Sequence, residues 1–228
     1  MPGCVASVKR FPEGPYIIPF AVLLAFLAVA LVLPLSGALG ELARVAIPAA
    51  ALWWFARPVL DFRVRHGIAT PLIGVLICAL WIAPDLLFPG YRRSPLFENA
   101  IVGFARGSLS EAARHDPAVL ALRTLRAAIV VPIAEELFWR GWLMRRMIHP
   151  DFERVPLGTY QATAFWVVAL LFASEHGPYW DVGLAAGILL NSWMVRTKSL
   201  GDVILAHAIA NLCLSGYVIV AGKWEYWL

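Results

Sequence analysis

From Tyr16 to Leu39 the chain runs for 24 residues without a charged side chain. A helix rises ~1.5 Å per residue, so such a run covers a bilayer core of about 30 Å with some tilt. It is too long for the apolar segment of a signal peptide, about 7–15 residues, and reads as a retained first span. Comparable apolar runs fall near 43–60, 68–89, 118–147, 159–175, 181–195 and 200–222. The expected fold is all-α, a polytopic transmembrane helical bundle of about seven or eight spans. The composition agrees: 15% of residues are charged, where a soluble domain carries about a quarter. The stretch 101–116 is too polar to cross and reads as a surface amphipathic helix or a short extra element. No internal repeat or low-complexity segment is visible.

Of the 19 basic residues 16 are Arg, many beside apolar runs, so the net charge of +4 reads as topology. No basic, aromatic-interleaved soluble face exists, which excludes nucleic acid as a partner. Lys/Arg bias puts the N-terminus inside. Lys9, Arg10, Arg57, Arg63, Arg65, Arg145, Arg146, Arg154, Arg196 and Lys198 then fall on the cytoplasmic side, with Arg44, Arg92, Arg93 and Lys223 outside. The expected location is the cell (inner) membrane, multi-pass, N-terminus cytoplasmic, with the lipid bilayer as a partner. Cys4, Cys78 and Cys213 form an odd set without CxxC and read as small apolar side chains.

Within the run at 129–147, IVVPIAEELFWRGWLMRRM, two adjacent glutamates and an arginine interrupt the hydrocarbon. Pro132 is expected to kink or open the helix there. Glu136 and Arg140 are i,i+4 neighbours with the acid first, the favourable order for a helical ion pair. Glu135 lies about 140° around the helix from Arg140 at 3.6 residues per turn, so it needs a different partner. An intramembrane acid without a local counter-ion is a functional candidate, the alternative being an ion-pair network that joins helices.

Two further polar islands interrupt apolar runs. In LLFASEHGPYWD, Phe172 and His176 are i,i+4; in DVILAHAIANLCLSG, His207 and Asn211 are. Singly, each reads as hydrogen-bonded packing between helices. Together, a carboxylate, two imidazoles and an amide supply what amide hydrolysis requires: a base for water, a group to orient it, and donors for the oxyanion. One geometric point resists. With vertical spans, His176 sits near the outer end of its helix while Glu135 lies roughly 15 Å from the inner end of its own. A shared site then needs tilted, kinked or partial spans.

EExxxR (Glu135 to Arg140), FxxxH (Phe172 to His176) and HxxxN (His207 to Asn211), in that order, resemble the three signature motifs of the CPBP family. That family comprises CAAX-type intramembrane endopeptidases and bacteriocin-processing or self-immunity proteins. RTKSLGDVILAHAIANL also looks like its approach to the last motif. The resemblance covers roughly 118–215. It divides one integral membrane domain into N-terminal transmembrane helices with a short amphipathic segment (1–117) and protease-core helices (118–228).

The resemblance implies that Glu135 activates water, that Glu136 and Arg140 support it, and that His176 helps position the water. It further implies that His207 and Asn211 form the oxyanion site, with Phe172 at a packing position. It implies glutamate dependence rather than zinc. No HExxH is present, so no cofactor is expected, although Glu and two His side chains can in principle bind zinc. The expected function is an intramembrane endopeptidase acting on a peptide or protein tail near the membrane surface. The alternative is a non-catalytic immunity or partner-binding membrane protein on the same scaffold. A proton-coupled transporter tolerates the same buried groups but predicts a repeat or broken-helix symmetry, which is absent.

Overall fold

The computed structural model describes residues 11–32 and 36–227. Cys4, Lys9 and Arg10, and with them that part of the topological reading, lie outside the described residues. The long elements are α1 (Gly14–Val32), α2 (Gly37–Ala56) and α3 (Ala69–Leu87). A single-turn α4 (Glu111–Arg114) precedes α5 (Pro117–Arg146), α6 (Ala162–Ser174), α7 (Trp180–Thr197) and α8 (Leu200–Ala221). Among the described residues there is no strand, only an isolated bridge between Asn99 and Gly103.

The boundaries follow local chemistry. At the start of α5 the Asp116 carboxylate accepts from the amides of Ala118 (2.9 Å) and Val119 (3.3 Å), and Pro117 fills the first helical position, where its missing N–H costs nothing. Ser199 Oγ accepts from the Asp202 amide at 3.2 Å to start α8. α8 ends on Gly222 at φ 65°, a left-handed conformation that glycine takes without steric penalty. Pro132 has no amide N–H to give. The turn before it, Arg126–Val130, opens into wider π-type hydrogen bonding, and so does Leu137–Leu143 after it.

α3 packs along α8, α6 along α7, and α1 against α2 and α5. Gly74 lets α3 and α8 touch: a Cβ there would lie 2.5 Å from the Ala206 carbonyl oxygen. Ala134, Leu137, Val168, Met194, Val203 and Ala206 fill the centre, all fully buried.

Polar ties close both ends of the bundle. At one end Asp202 accepts from the amides of Arg65 (2.8 Å) and His66 (3.0 Å) and from the Thr70 hydroxyl. At the other, Arg92 meets Asp85 (3.0 Å), Asp181 (2.8 Å) and the Pro178 carbonyl (2.7 Å). Burial works against the charge of Arg92, but the hydrogen bonds and charges of Asp181 and Asp85 outweigh it and hold its pKa above the ordinary value.

α2, α3, α5 and α8 are long and apolar enough to cross a membrane; Gly14–Val29 of α1 and Ala162–Ser174 are shorter apolar helices. α7 carries Asp181, Asn191 and Arg196 and is not among them. The stretch 101–116 has no amphipathic helix beyond α4: after the Asn99–Gly103 bridge, residues 104–110 take no regular structure until Ser110 caps α4.

Asp202→Ala leaves three donors without their acceptor, each worth about 1–3 kcal/mol when stranded. The variant is expected to lose about 3 kcal/mol or more, read as a lowered Tm in detergent.

Candidate active site

The two glutamates of α5 point to different places. Glu136 and Arg140 are completely buried, at 0% exposure. Glu136 Oε1 accepts from Arg140 Nη1 at 3.1 Å and from His207 Nδ1 at 2.8 Å. A carboxylate beside a guanidinium offers only acceptors, so the hydrogen of that second bond belongs to His207 Nδ1. Arg140 goes on to donate from Nε to Asn191 Oδ1 (2.8 Å) and from Nη2 to the Gly187 carbonyl (3.3 Å), and its guanidinium carbon lies 4.5 Å from the Phe172 ring centre. Asn191 is itself fixed through Nδ2 to the Phe165 carbonyl at 2.8 Å. One acid thus ties α5 directly to α8, and through Arg140 to α6 and α7.

Glu135 turns the other way, into a cavity of about 180 Å³ that it shares with Trp81, Phe172, His176, His207 and Asn211. His207 Nε2, the ring nitrogen left over from Glu136, is 4.0 Å from Glu135 Oε2. That oxygen is buried and has no hydrogen-bond partner among the described residues.

His176 does not ride on a helix, contrary to the i,i+4 reading. α6 stops at Ser174, and His176 leads into the turn Gly177–Tyr179, where Gly177 takes φ 53°. Its place over Phe172 survives, with ring centres 4.7 Å apart, because Nδ1 donates back to the Phe172 carbonyl at 2.7 Å. Nε2 is then the acceptor nitrogen. α6 has 13 residues, about 20 Å at 1.5 Å each, so its end reaches the depth of Glu135. That partial helix answers the depth conflict raised by vertical spans.

Asn211 lines the cavity but also donates from Nδ2 to the Ala127 carbonyl at 2.8 Å, beside the opened turn of α5. One amide hydrogen is spent on packing and the second is left over.

Sequence reasoning missed two residues. Asn191 is the outer partner of Arg140; its only signal is a lone amide in the apolar run GILLNSWMV. Glu175 accepts from Trp139 Nε1 at 3.1 Å and lines a second opening with Glu135 and His176. Its signal was adjacency to His176 in the same polar island. That opening, about 270 Å³, runs past Leu23, Leu24 and Leu27 of α1 and Arg123 and Arg126 of α5. Among the described residues, no three His, Cys, Asp or Glu side chains are grouped to hold a metal ion.

The helices and the buried polar site define a multi-pass helical membrane protein. Residues 117–213 match the family described as Rce1-like, type II CAAX prenyl endopeptidase Rce1-like. The CPBP resemblance read from the three motifs is borne out over this segment, which starts with α5 and contains Glu135, Glu136, Arg140, Phe172, His176, His207 and Asn211. No curated protein and no solved structure matches the chain.

Glu136→Gln weakens the hold on Arg140 and His207 together. Breaking a buried pair from one side costs about 3–5 kcal/mol, so this variant and Arg140→Leu should each melt lower by that order. The double variant Glu136→Gln/Arg140→Leu should regain part of the loss, since it removes the stranded charge. A double variant that melts as low as the sum of the singles would deny the coupling.

Proposed function

We propose that this chain is an intramembrane endopeptidase that hydrolyses a peptide bond of a protein or peptide tail near the membrane surface. The observation that carries this reading is the division of labour between the adjacent acids. Glu136 is anchored through Oε1 by Arg140 and His207, its Oε2 buried and unbonded, while Glu135 makes no hydrogen bond among the described residues and faces a cavity shared with both histidines.

A water held between Glu135 and His176 Nε2 gives its proton to Glu135, and the hydroxide adds to the scissile carbonyl. The acceptor tautomer of His176 suits it to orient that water without taking the proton. The tetrahedral oxyanion is met by the second amide hydrogen of Asn211. His207, when protonated at both nitrogens, adds Nε2–H, its charge stabilised by Glu136. Glu135 then returns the proton to the leaving amine, so peptide and water become a carboxylic acid and an amine. Phe172 keeps the Arg140 face dry and sets the spacing of the two histidines.

The reading extends to α5–α8 as the hydrolytic core, to chemistry that needs no bound metal, and to a cytoplasmic N-terminus. Support for the orientation is the clustering of Arg65, Arg145 and Lys198 at one end of the bundle; reporter fusions before α1 test it. The second reading is a non-catalytic partner-binding or immunity protein. The observation that favours it is the Asn211–Ala127 bond, which spends an amide on packing.

Proteolysis separates the two. Glu135→Gln keeps the shape and loses the base, so cleavage should vanish while Tm stays near wild type. Asn211→Ala and His207→Ala should each slow turnover by about 10²–10³, the usual cost of one oxyanion donor. Purified protein stripped with a strong chelator should keep its rate. A wild-type rate in Glu135→Gln would return the site to packing, and a rate lost on chelation and restored by zinc would sink the metal-free scheme.

A further inference from the structure

The end of the bundle that carries Asp202 also holds a small pocket of about 80 Å³, where α1, the α2–α3 connection, the end of α5 and the α7–α8 junction meet. Arg65, Arg145 and Lys198 line it, with Asp61 and the ring of Tyr16. The hydrolytic scheme gives none of them a task.

The cations of this pocket are not matched by acids. Among the described residues Asp61 is the one carboxylate in its wall, and Arg63 covers both oxygens, through Nε at 2.9 and 3.1 Å and Nη2 at 2.9 Å. Arg145 is 9% exposed and meets only carbonyls, those of Val155 (2.7 Å), Gly141 (3.0 Å) and Glu153 (3.5 Å). A guanidinium has five N–H donors, so two are left over and no carboxylate offsets the charge. The Arg65 side chain gives one long bond, from Nη1 to the Thr197 carbonyl at 3.5 Å. The Lys198 ammonium meets no acceptor among the described residues. Lys198 also closes α7 at φ 52°, a left-handed position that glycine fills without strain. A strained backbone that carries a charged side chain into a pocket marks a site with a use for that charge.

The surrounding surface says which anion fits. Trp53, Trp54 and Phe55 at the end of α2 and Phe62 in the connection are exposed, and the Arg57 guanidinium lies 5.8 Å from the Trp53 ring centre. Exposed tryptophan beside Lys and Arg is the composition of the membrane–water interface. Basic pockets between helices at that level take up anionic headgroups.

We propose that Arg65, Arg145 and Lys198 form a binding site for the phosphate of an acidic phospholipid. Arg145 is the buried base, its guanidinium already fixed by carbonyls, and Arg65 and Lys198 approach from the surface. A zwitterionic lipid offers the same phosphate, but its amine cancels the charge, so the three cations select the acidic headgroup. The proposal stands apart from the hydrolytic reading.

The test titrates the full chain, in uncharged detergent, with fluorescent phosphatidylglycerol. Unlabelled phosphatidylglycerol, phosphatidylcholine and inorganic phosphate serve as competitors. Saturable binding is expected, with phosphatidylglycerol at least about tenfold the better lipid competitor and inorganic phosphate ineffective. Arg65→Gln/Lys198→Gln should weaken binding by about 25-fold, roughly fivefold for each cation at a charged lipid surface, with an unchanged Tm in the absence of lipid. Added phosphatidylglycerol should raise the Tm of the wild type and not of this variant. Arg65→Lys/Lys198→Arg keeps the charges and should keep most of the binding. Arg57→Gln/Arg196→Gln removes the same charge outside the pocket and should bind as the wild type does.

Equal competition by the two lipids overturns the proposal, and so does wild-type binding in Arg65→Gln/Lys198→Gln. Equal losses in the two charge-removing pairs make the attraction a diffuse property of the surface, against a built site. Loss of binding in the charge-keeping pair makes the residues structural. Displacement by inorganic phosphate as effectively as by phosphatidylglycerol makes this a site for a dissolved anion, which also overturns the lipid assignment.

Discussion

One carboxylate organises the interior. Glu136 is fully buried and accepts from both Arg140 and His207, so it fixes an arginine that reaches α7 and a histidine carried by α8. Burying such charges is costly unless every donor finds an acceptor. Arg140 meets that condition through Glu136, Asn191 and the Gly187 carbonyl, with Phe172 closing its flat face. The arrangement does more than hold helices together. By engaging Nδ1 of His207 it turns Nε2 toward Glu135, and by pairing with Arg140 it leaves Glu135 without an arginine hydrogen bond among the described residues.

The helices that bring these groups together are irregular where the site needs them to be. α5 opens into wider turns on both sides of Glu135 and Glu136, the first of them caused by the missing amide of Pro132. The opened turn exposes the Ala127 carbonyl that Asn211 takes up. α6 stops short of a full crossing, and its last turn hands His176 to a glycine-led turn at the depth of Glu135. A regular α6 extended by another turn would carry His176 past the cavity.

The sequence made the motif geometry legible because i,i+4 spacing is a local property. The Glu136–Arg140 pair, the opposite facing of Glu135, and the stacking of Phe172 near His176 all follow from it. Five of the seven apolar runs correspond to α3 and α5–α8 within about three residues; the first two are offset, because α1 ends at Val32 and α2 already starts at Gly37, inside the run 16–39. What could not be read is tertiary. Nothing local marks Asn191 as the partner of an arginine 51 positions away, or Asp202 as the acceptor for the Arg65 and His66 amides. The end of α6 was misplaced because Ser174 and Glu175 sit comfortably in a helix; it is the left-handed Gly177 and Pro178 that turn the chain. Glu175 was passed over because its neighbour matched a motif and it did not.

Adjacent acids on one helix are about 100° apart, so they cannot share an environment, and that rotation is what makes one scaffold both stable and reactive. A site built from a single acid would have to choose between pairing it, which holds the bundle, and leaving it unpaired, which gives a base. With two, Glu136 takes the interior face, toward α7 and α8. Glu135 takes the face that opens past α1, where Leu23, Leu24 and Leu27 present hydrocarbon rather than charge. On the proposed hydrolytic reading, water and substrate reach Glu135 without disturbing the Glu136 network. The histidine between them is bonded to one acid and faces the other, so it links the two.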